Sequence, residues 1–187
     1  MEEFSLYVLD ITMNSVRAGA SEIDILLSEK DGVLTFSVTD NGCGMKAEQV
    51  ANLKDPFFTT RKTRAVGLGV PFLTMLAEQT GGGVDIISRH ESEYPEGHGT
   101  TVTATFGLGH IDFIPLGDMV GTVITLIQGS PTVDFTFTHE REHGKVSLST
   151  KQLRELLGDE VSLADFEILE WIRGYLTEGY AEINLGN

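Results

Sequence analysis

The chain has 187 residues, 41% hydrophobic and 22% charged, with 13 Lys+Arg against 28 Asp+Glu for a net charge of −15. That length and apolar content can support a packed core and exclude a disordered chain. The acidic balance argues against a polyanion partner, because affinity for nucleic acid rests on neutralising phosphates.

Both halves share the acidity, with 8 Lys+Arg against 15 Asp+Glu in residues 1–108 and 5 against 13 in residues 109–187. Cys43 is the single cysteine, so no disulfide framework is expected. The start Met-Glu-Glu-Phe has no basic stretch ahead of an apolar one, and the longest apolar run, Met119 to Ile127, falls short of the roughly 20 residues that span a bilayer. The expectation is a soluble cytoplasmic protein with neither a nucleic-acid nor a membrane partner.

Phe4, Val8, Ile11 and Ser15 recur at helical spacing, with Leu6, Leu9 and Met13 widening the apolar side, so residues 4–18 are predicted to form a mostly buried helix. Asp10 and Asn14 stand four apart on one face of it, where a carboxylate and an amide suit a metal ion, an activated water, or both. Next come Ile23 to Ser28 and Leu34 to Val38 around Lys30-Asp31-Gly32, two alternating runs that read as a β-hairpin. The second run delivers Asp40 into Asp40-Asn41-Gly42-Cys43-Gly44-Met45. There Gly42 and Gly44 permit positive φ and let a flat ring approach the backbone, and a carboxylate could accept a hydrogen bond from an exocyclic amine.

Residues 56–73, "PFFTTRKTRAVGLGVPFL", combine the cations Arg61, Lys62 and Arg64 with Gly67-Leu68-Gly69, which precede a helix predicted from about Pro71 to Gln79. Proline suits a first helical turn, and the free N–H groups there favour phosphate. "GHGTTVTATF" then sets a glycine ahead of an alternating strand that contains Thr100.

Taken in order, these segments resemble the ATP-binding domain of DNA gyrase, the ninety-kilodalton heat-shock chaperones, histidine kinases and MutL, the GHKL superfamily. "MNSVRAGASEIDI" and "TDNGCGM" look like the MutL version, whereas "PFFTTRK" looks like the short lid of histidine kinases, with Ala65 where kinases usually have another glycine. The resemblance implies a two-layer α/β sandwich of the Bergerat type over residues 1–108, followed by a small α+β extension over 109–187. It implies ATP and Mg²⁺ as ligands, with Asn14 reaching the metal, Asp40 pairing with the adenine amine and Thr100 helping Asp40. Gly42 and Gly44 would line the base and ribose, and Thr59, Thr60, Arg61, Lys62, Gly67, Leu68 and Gly69 would form the triphosphate lid. Asp10 occupies the place of the general-base glutamate of MutL-type hydrolases, one methylene shorter, so hydrolysis is expected to be slow. The phosphoacceptor hairpin of histidine kinases has no room ahead of Asp10, which leaves a kinase acting on a separate protein, an ATPase, or a nucleotide-gated switch. The leading expectation is regulatory work on an unidentified protein partner, by phosphoryl transfer or slow hydrolysis.

In residues 109–187, interrupted from the first half near "GLGHIDFIPLGD", the pattern predicts a helix capped by Asp118, strands at Val133–Thr138 and Lys145–Ser149, and two helices. Thr150 is expected to cap the first of these two, and Ser162 with Asp165 to form a capping box for the second, which runs to about Thr177. His139-Glu140-Arg141-Glu142-His143 matches the zinc-protease string H-E-x-x-H. That chemistry needs a helix, and the alternating runs on either side of the string predict a hairpin tip instead.

Overall fold

The computed structural model describes residues 2–53, 69–158 and 160–184. Among them α1 (Phe4–Arg17) is followed by the hairpin β1 (Glu22–Lys30) and β2 (Val33–Asp40), then α2 (Ala47–Leu53) and α3 (Gly69–Gln79). The chain continues through β3 (Gly83–Arg89), β4 (Gly99–Gly107), α4 (Met119–Gly129), β5 (Asp134–Arg141), β6 (Gly144–Ser149), α5 (Thr150–Leu157) and α6 (Phe166–Asn184). The strands form one six-stranded sheet in the order β3-β4-β2-β1-β5-β6. This is the expected two-layer α/β architecture.

Alternation along each strand decides which side of the sheet is core. Ile23, Ile25 and Leu27 of β1, Leu34, Phe36 and Val38 of β2, and Val102, Ala104 and Phe106 of β4 are buried on one face. The register aligns them in rows, such as Ile86–Val102–Val38–Ile25–Phe137–Leu148. Across that face lie α3, α1, α4 and α6, each packed against the next with α4 between α1 and α6. Phe4 anchors the layer, with its ring edge-on to Phe36 at 5.4 Å and to Phe106 at 5.1 Å. Such pairs contribute about 1 kcal/mol each beyond the burial of their area.

The start of α1 has no side-chain cap. Its orphan donors are satisfied instead by the β4–α4 connection, where Phe4 N–H donates to Pro115 O and Ser5 N–H to Leu116 O, both at 2.8 Å. The sheet also crosses residue 108: β5 runs parallel to β1 in the register Ile23↔Phe135 to Leu27↔His139, and β6 closes the edge.

Several boundaries differ from expectation. The cap of α5 is Ser149, whose Oγ accepts from Gln152 N–H at 3.4 Å. Thr150 is wholly buried, and its hydroxyl accepts from Phe135 N–H at 2.8 Å, because β5 needs that acceptor. Helix α6 begins at Phe166 and extends to Asn184, well past Thr177. Ser162 to Asp165 make a turn ahead of α6 in place of a capping box, with Asp165 N–H donating to Ser162 O at 3.1 Å.

The H-E-x-x-H string is the end of β5 and its turn, not a helix. His139 takes a core-facing position in the row Ala104–Phe36–Leu27–His139–Val146 and is completely buried. A buried imidazole must be paired. Its Nε2 lies 2.8 Å from Glu29 and its Nδ1 2.9 Å from the Tyr180 hydroxyl, while Arg141 Nε donates to the same Glu29 oxygen at 3.0 Å. The network ties the first hairpin to β5 and α6, and burial pushes the Tyr180 hydroxyl above its ordinary pKa.

Burial alone would raise the Glu29 carboxyl, but the hydrogen bond to His139 and the charge of Arg141 outweigh it and hold the group below its ordinary value. An unfolded chain therefore takes up this proton first as pH falls. The stabilisation is complete above the unfolded pKa of about 4.3 and is lost as pH drops through the lower folded value. Glu29→Gln is expected to be less stable than the parent near neutrality and to lose stability less steeply between roughly pH 5 and 3. Urea midpoints across that range measure it, and parallel curves for the two proteins would rule the linkage out.

Candidate functional site

Two apolar stripes end in polar residues at the same place. On β2 the core-facing series Leu34, Phe36, Val38 has Asp40 as its next member, and on α1 the series Phe4, Val8, Ile11 has Ser15. Both are buried, and the Ser15 hydroxyl donates to Asp40 Oδ2 at 2.5 Å. The other carboxylate oxygen, Oδ1, accepts from Gly42 N–H at 2.9 Å and from Thr100 N–H at 3.2 Å. An ionised carboxylate offers about four acceptor positions, and three are filled here. Among the described residues one acceptor position of Asp40 is unused.

Asp40 opens onto a cavity of about 230 Å³. Ile11, Met45, Leu53, Val70 and Val102 give it apolar walls, and Asn14, Arg17 and Thr100 give it a polar side. Asn14 Oδ1 accepts from Arg17 Nη1 at 3.0 Å. Thr100 faces Asp40 across the β2–β4 register, and its hydroxyl pairs with Ser88 Oγ at 2.8 Å.

Gly44 has φ +66°, and a Cβ there would fall on the Arg89 carbonyl. A Cβ on Gly42 would stand 2.9 Å from Ala18 Cβ and 3.1 Å from Asp40 Oδ1. Asn41 fastens the loop: its Oδ1 accepts from Ser21 N–H at 2.9 Å and Glu22 N–H at 3.0 Å.

The structure thus gathers Asn14, Asp40, Gly44 and Thr100 around one cavity, with Gly42 bonded to Asp40. Asp10 is one turn from Asn14, with its carboxylate against Gly69, where a Cβ would collide with it. A carboxylate at the start of α3 is favoured by the helix dipole. Thr59, Thr60, Arg61, Lys62, Gly67 and Leu68 lie outside the described residues. Sequence reasoning missed Ser15 as a site residue, although its place at the end of the α1 stripe was a usable signal. It also missed Arg17, three positions after Asn14, and His98, whose Nδ1 stands 2.5 Å from Gly42 O and which no local pattern marks. Among the described residues no three His, Cys, Asp or Glu side chains are grouped to hold a metal, and no helix is long and apolar enough to cross a membrane.

Residues 3–110 match the family of histidine kinase-, DNA gyrase B- and HSP90-like ATPases. The chain belongs to this family. Among relatives of this ATPase domain, the sensor histidine kinase ZraS of Escherichia coli K12 is 33% identical over 98 residues, which cover 51% of this chain and 20% of that protein. A probable C4-dicarboxylate sensor kinase of Bacillus subtilis 168 is 26% identical over 95 residues, covering 51% of this chain and 17% of the kinase. The chain therefore matches about one-fifth of the length of these kinases. The fold is similar to the Aquifex aeolicus MutL ATPase domain complexed with ADP, with TM-score 0.55, 17% identity, and coverage of 84% of this chain and 69% of that one. It is also similar to the N-terminal domain of a DNA repair protein, with TM-score 0.57, 16% identity, and coverage of 85% and 58%.

The contacts around the two kinds of glycine set different costs. Gly81→Ala, at φ +81° with open space around it, should cost only the left-handed backbone penalty of about 1–2 kcal/mol. Gly44→Ala, which also meets the Arg89 carbonyl, should cost clearly more and disturb the cavity. Urea denaturation of both variants checks the ranking, and equal losses would contradict it.

Proposed function

We propose that the cavity binds ATP with Mg²⁺ and that the protein is a nucleotide-dependent regulator acting on a protein partner, by phosphoryl transfer or by slow hydrolysis. The observation that carries this reading is Asp40: a buried carboxylate that, among the described residues, has three hydrogen bonds to the fold and one acceptor position open to a cavity with apolar walls. Such a group suits the exocyclic amine of a flat heteroaromatic ring, and the ring itself suits the walls.

Asn14 would offer Mg²⁺ one oxygen. That is a sufficient protein contribution for an ion that draws most of its ligands from phosphates and water. Gly42 and Gly44 would keep the backbone low enough for the base and ribose, and Thr100 would hold Asp40 in place through its N–H. In this reading Thr59, Thr60, Arg61, Lys62, Gly67, Leu68 and Gly69 hold the phosphates. ATP would supply a transferable γ-phosphoryl group, and Asp10 would take the proton of the attacking water at its carboxylate. Relatives named as sensor kinases support a signalling role and a protein as the recipient. A switch in which nucleotide only orders a binding surface is the alternative.

Asp40→Asn keeps an acceptor for Gly42 and Thr100 but presents an amide donor where the open lone pair stood. It is expected to fold normally and to lose ATP affinity by at least tenfold in calorimetry with Mg²⁺. Equal affinity in mutant and parent would remove Asp40 from the site.

Asp10→Ala is expected to abolish ATP turnover and spare binding, whereas Asp10→Glu, which restores the missing methylene, should raise turnover. Incubation with γ-labelled ATP, alone and with lysate of the source cell, separates the routes. Free phosphate marks hydrolysis, a labelled second protein marks a kinase, and neither marks a switch. Unchanged turnover in Asp10→Ala would assign the proton transfer to another group.

A further inference from the structure

The segment between β2 and α2 has no regular structure, so its shape depends on what its backbone meets. On the α1 side Cys43 N–H donates to Ala18 O at 2.9 Å. On the other side lies the β3–β4 hairpin. Met45 N–H donates to Ser88 Oγ at 2.7 Å, Glu91 N–H to Cys43 O at 2.9 Å, and His98 Nδ1 stands 2.5 Å from Gly42 O. A carbonyl can only accept, so Nδ1 carries the hydrogen in this contact.

This contact differs from its neighbours in what lies behind it. Gly42 N–H is one of the three donors that fix Asp40, at 2.9 Å from Oδ1. His98 and Asp40 are therefore linked through a single residue. The backbone on either side fixes the place of His98: Gly97 has φ +75° and Gly99 has φ +137°, and a Cβ on Gly99 would fall on the Asp40 carbonyl. Thr100, two residues after His98, donates its own N–H to Asp40 Oδ1. The hairpin end thus grips Asp40 directly through Thr100 and indirectly through His98 and Gly42.

We infer that His98 is a positioning residue for purine selection: its Nδ1–H holds the Gly42 carbonyl and so aims the Asp40 carboxylate at a 6-amino rather than a 6-oxo purine. The inference rests on the reading of the cavity as an adenine-nucleotide site. Without the histidine donor the peptide plane joining Gly42 to Cys43 is held on one side only, by Cys43 N–H on Ala18 O, so Gly42 is set less firmly and the Asp40 oxygen loses part of the fixed direction that makes it selective. Affinity for a base that offers no amine there depends far less on that direction.

Calorimetry on the full chain with ADP and with IDP, both with Mg²⁺, reads this separately from general damage. The parent is expected to prefer ADP. His98→Leu should weaken ADP roughly fivefold, the effect of one modest hydrogen bond, while IDP changes little, so that the preference shrinks. His98→Asn, whose amide can donate from near the Nδ1 position, should retain most of the preference. If His98→Leu fails to fold, His98→Gln takes its place, since its amide matches Nε2 and not Nδ1. Nitrogen-15 spectra of the parent should show a protonated Nδ1.

An unprotonated Nδ1, an unchanged preference in the donor-less variant, or an equal loss for ADP and IDP would each overturn the role of His98. A parent that binds ADP but fails to prefer it over IDP would overturn it too. A parent that binds neither nucleotide would instead overturn the reading of the cavity itself, and this inference with it.

Discussion

The hydrogen bond between Ser15 and Asp40 is the constraint from which the site follows. It exists because two apolar patterns of different period, 3.6 along α1 and 2 along β2, each end in a polar residue above the same end of the sheet. A buried carboxylate is tolerated only where donors converge on it. The hydroxyl of Ser15 and the N–H groups of Gly42 and Thr100 supply them from three separate segments. The same burial that makes Asp40 costly makes its remaining acceptor position strong, since a hydrogen bond in a low-dielectric cavity faces little competition from water.

Close approach of backbone is the second organising feature. Gly44 lies on the Arg89 carbonyl, Gly99 on the Asp40 carbonyl and Gly69 on the Asp10 carboxylate, in each case where a Cβ would collide. The loop after β2, the β3–β4 hairpin and the start of α3 are thereby drawn around one cavity without large side chains filling it. The cavity is kept open by what is missing from these residues as much as by what lines it.

At the opposite end of the sheet the polar network of Glu29, His139, Arg141 and Tyr180 plays a different part. It joins β1, β5 and α6, so the later half of the chain is fastened to the hairpin that carries Asp40. Because β5 pairs with β1 directly, a load on α6 has a continuous hydrogen-bonded path to the strand next to β2.

The sequence by itself marked α1, the β1–β2 hairpin, α3, β4, α4, β5, β6 and the two closing helices and offered Asp10, Asn14 and Asp40 as candidate site groups, whereas α2 and β3 emerged only in the structure. Helical spacing placed Asp10 and Asn14 on one face of α1, and alternation carried Asp40 to the end of β2. The two-layer class and the family likeness were legible because period and glycine placement are local properties. The extent of α6 and the cap of α5 were not, since Thr150 is claimed by a strand 15 residues earlier in the chain. Nor did alternation reveal that β5 and β6 would continue the sheet of the first half, because strand order depends on long-range pairing. The H-E-x-x-H string acquired its meaning only when the fold buried His139 between Glu29 and Tyr180. His98 shows the same limit: it sits 56 residues from Gly42 in sequence, and only the register of β2 on β4 brings the two together.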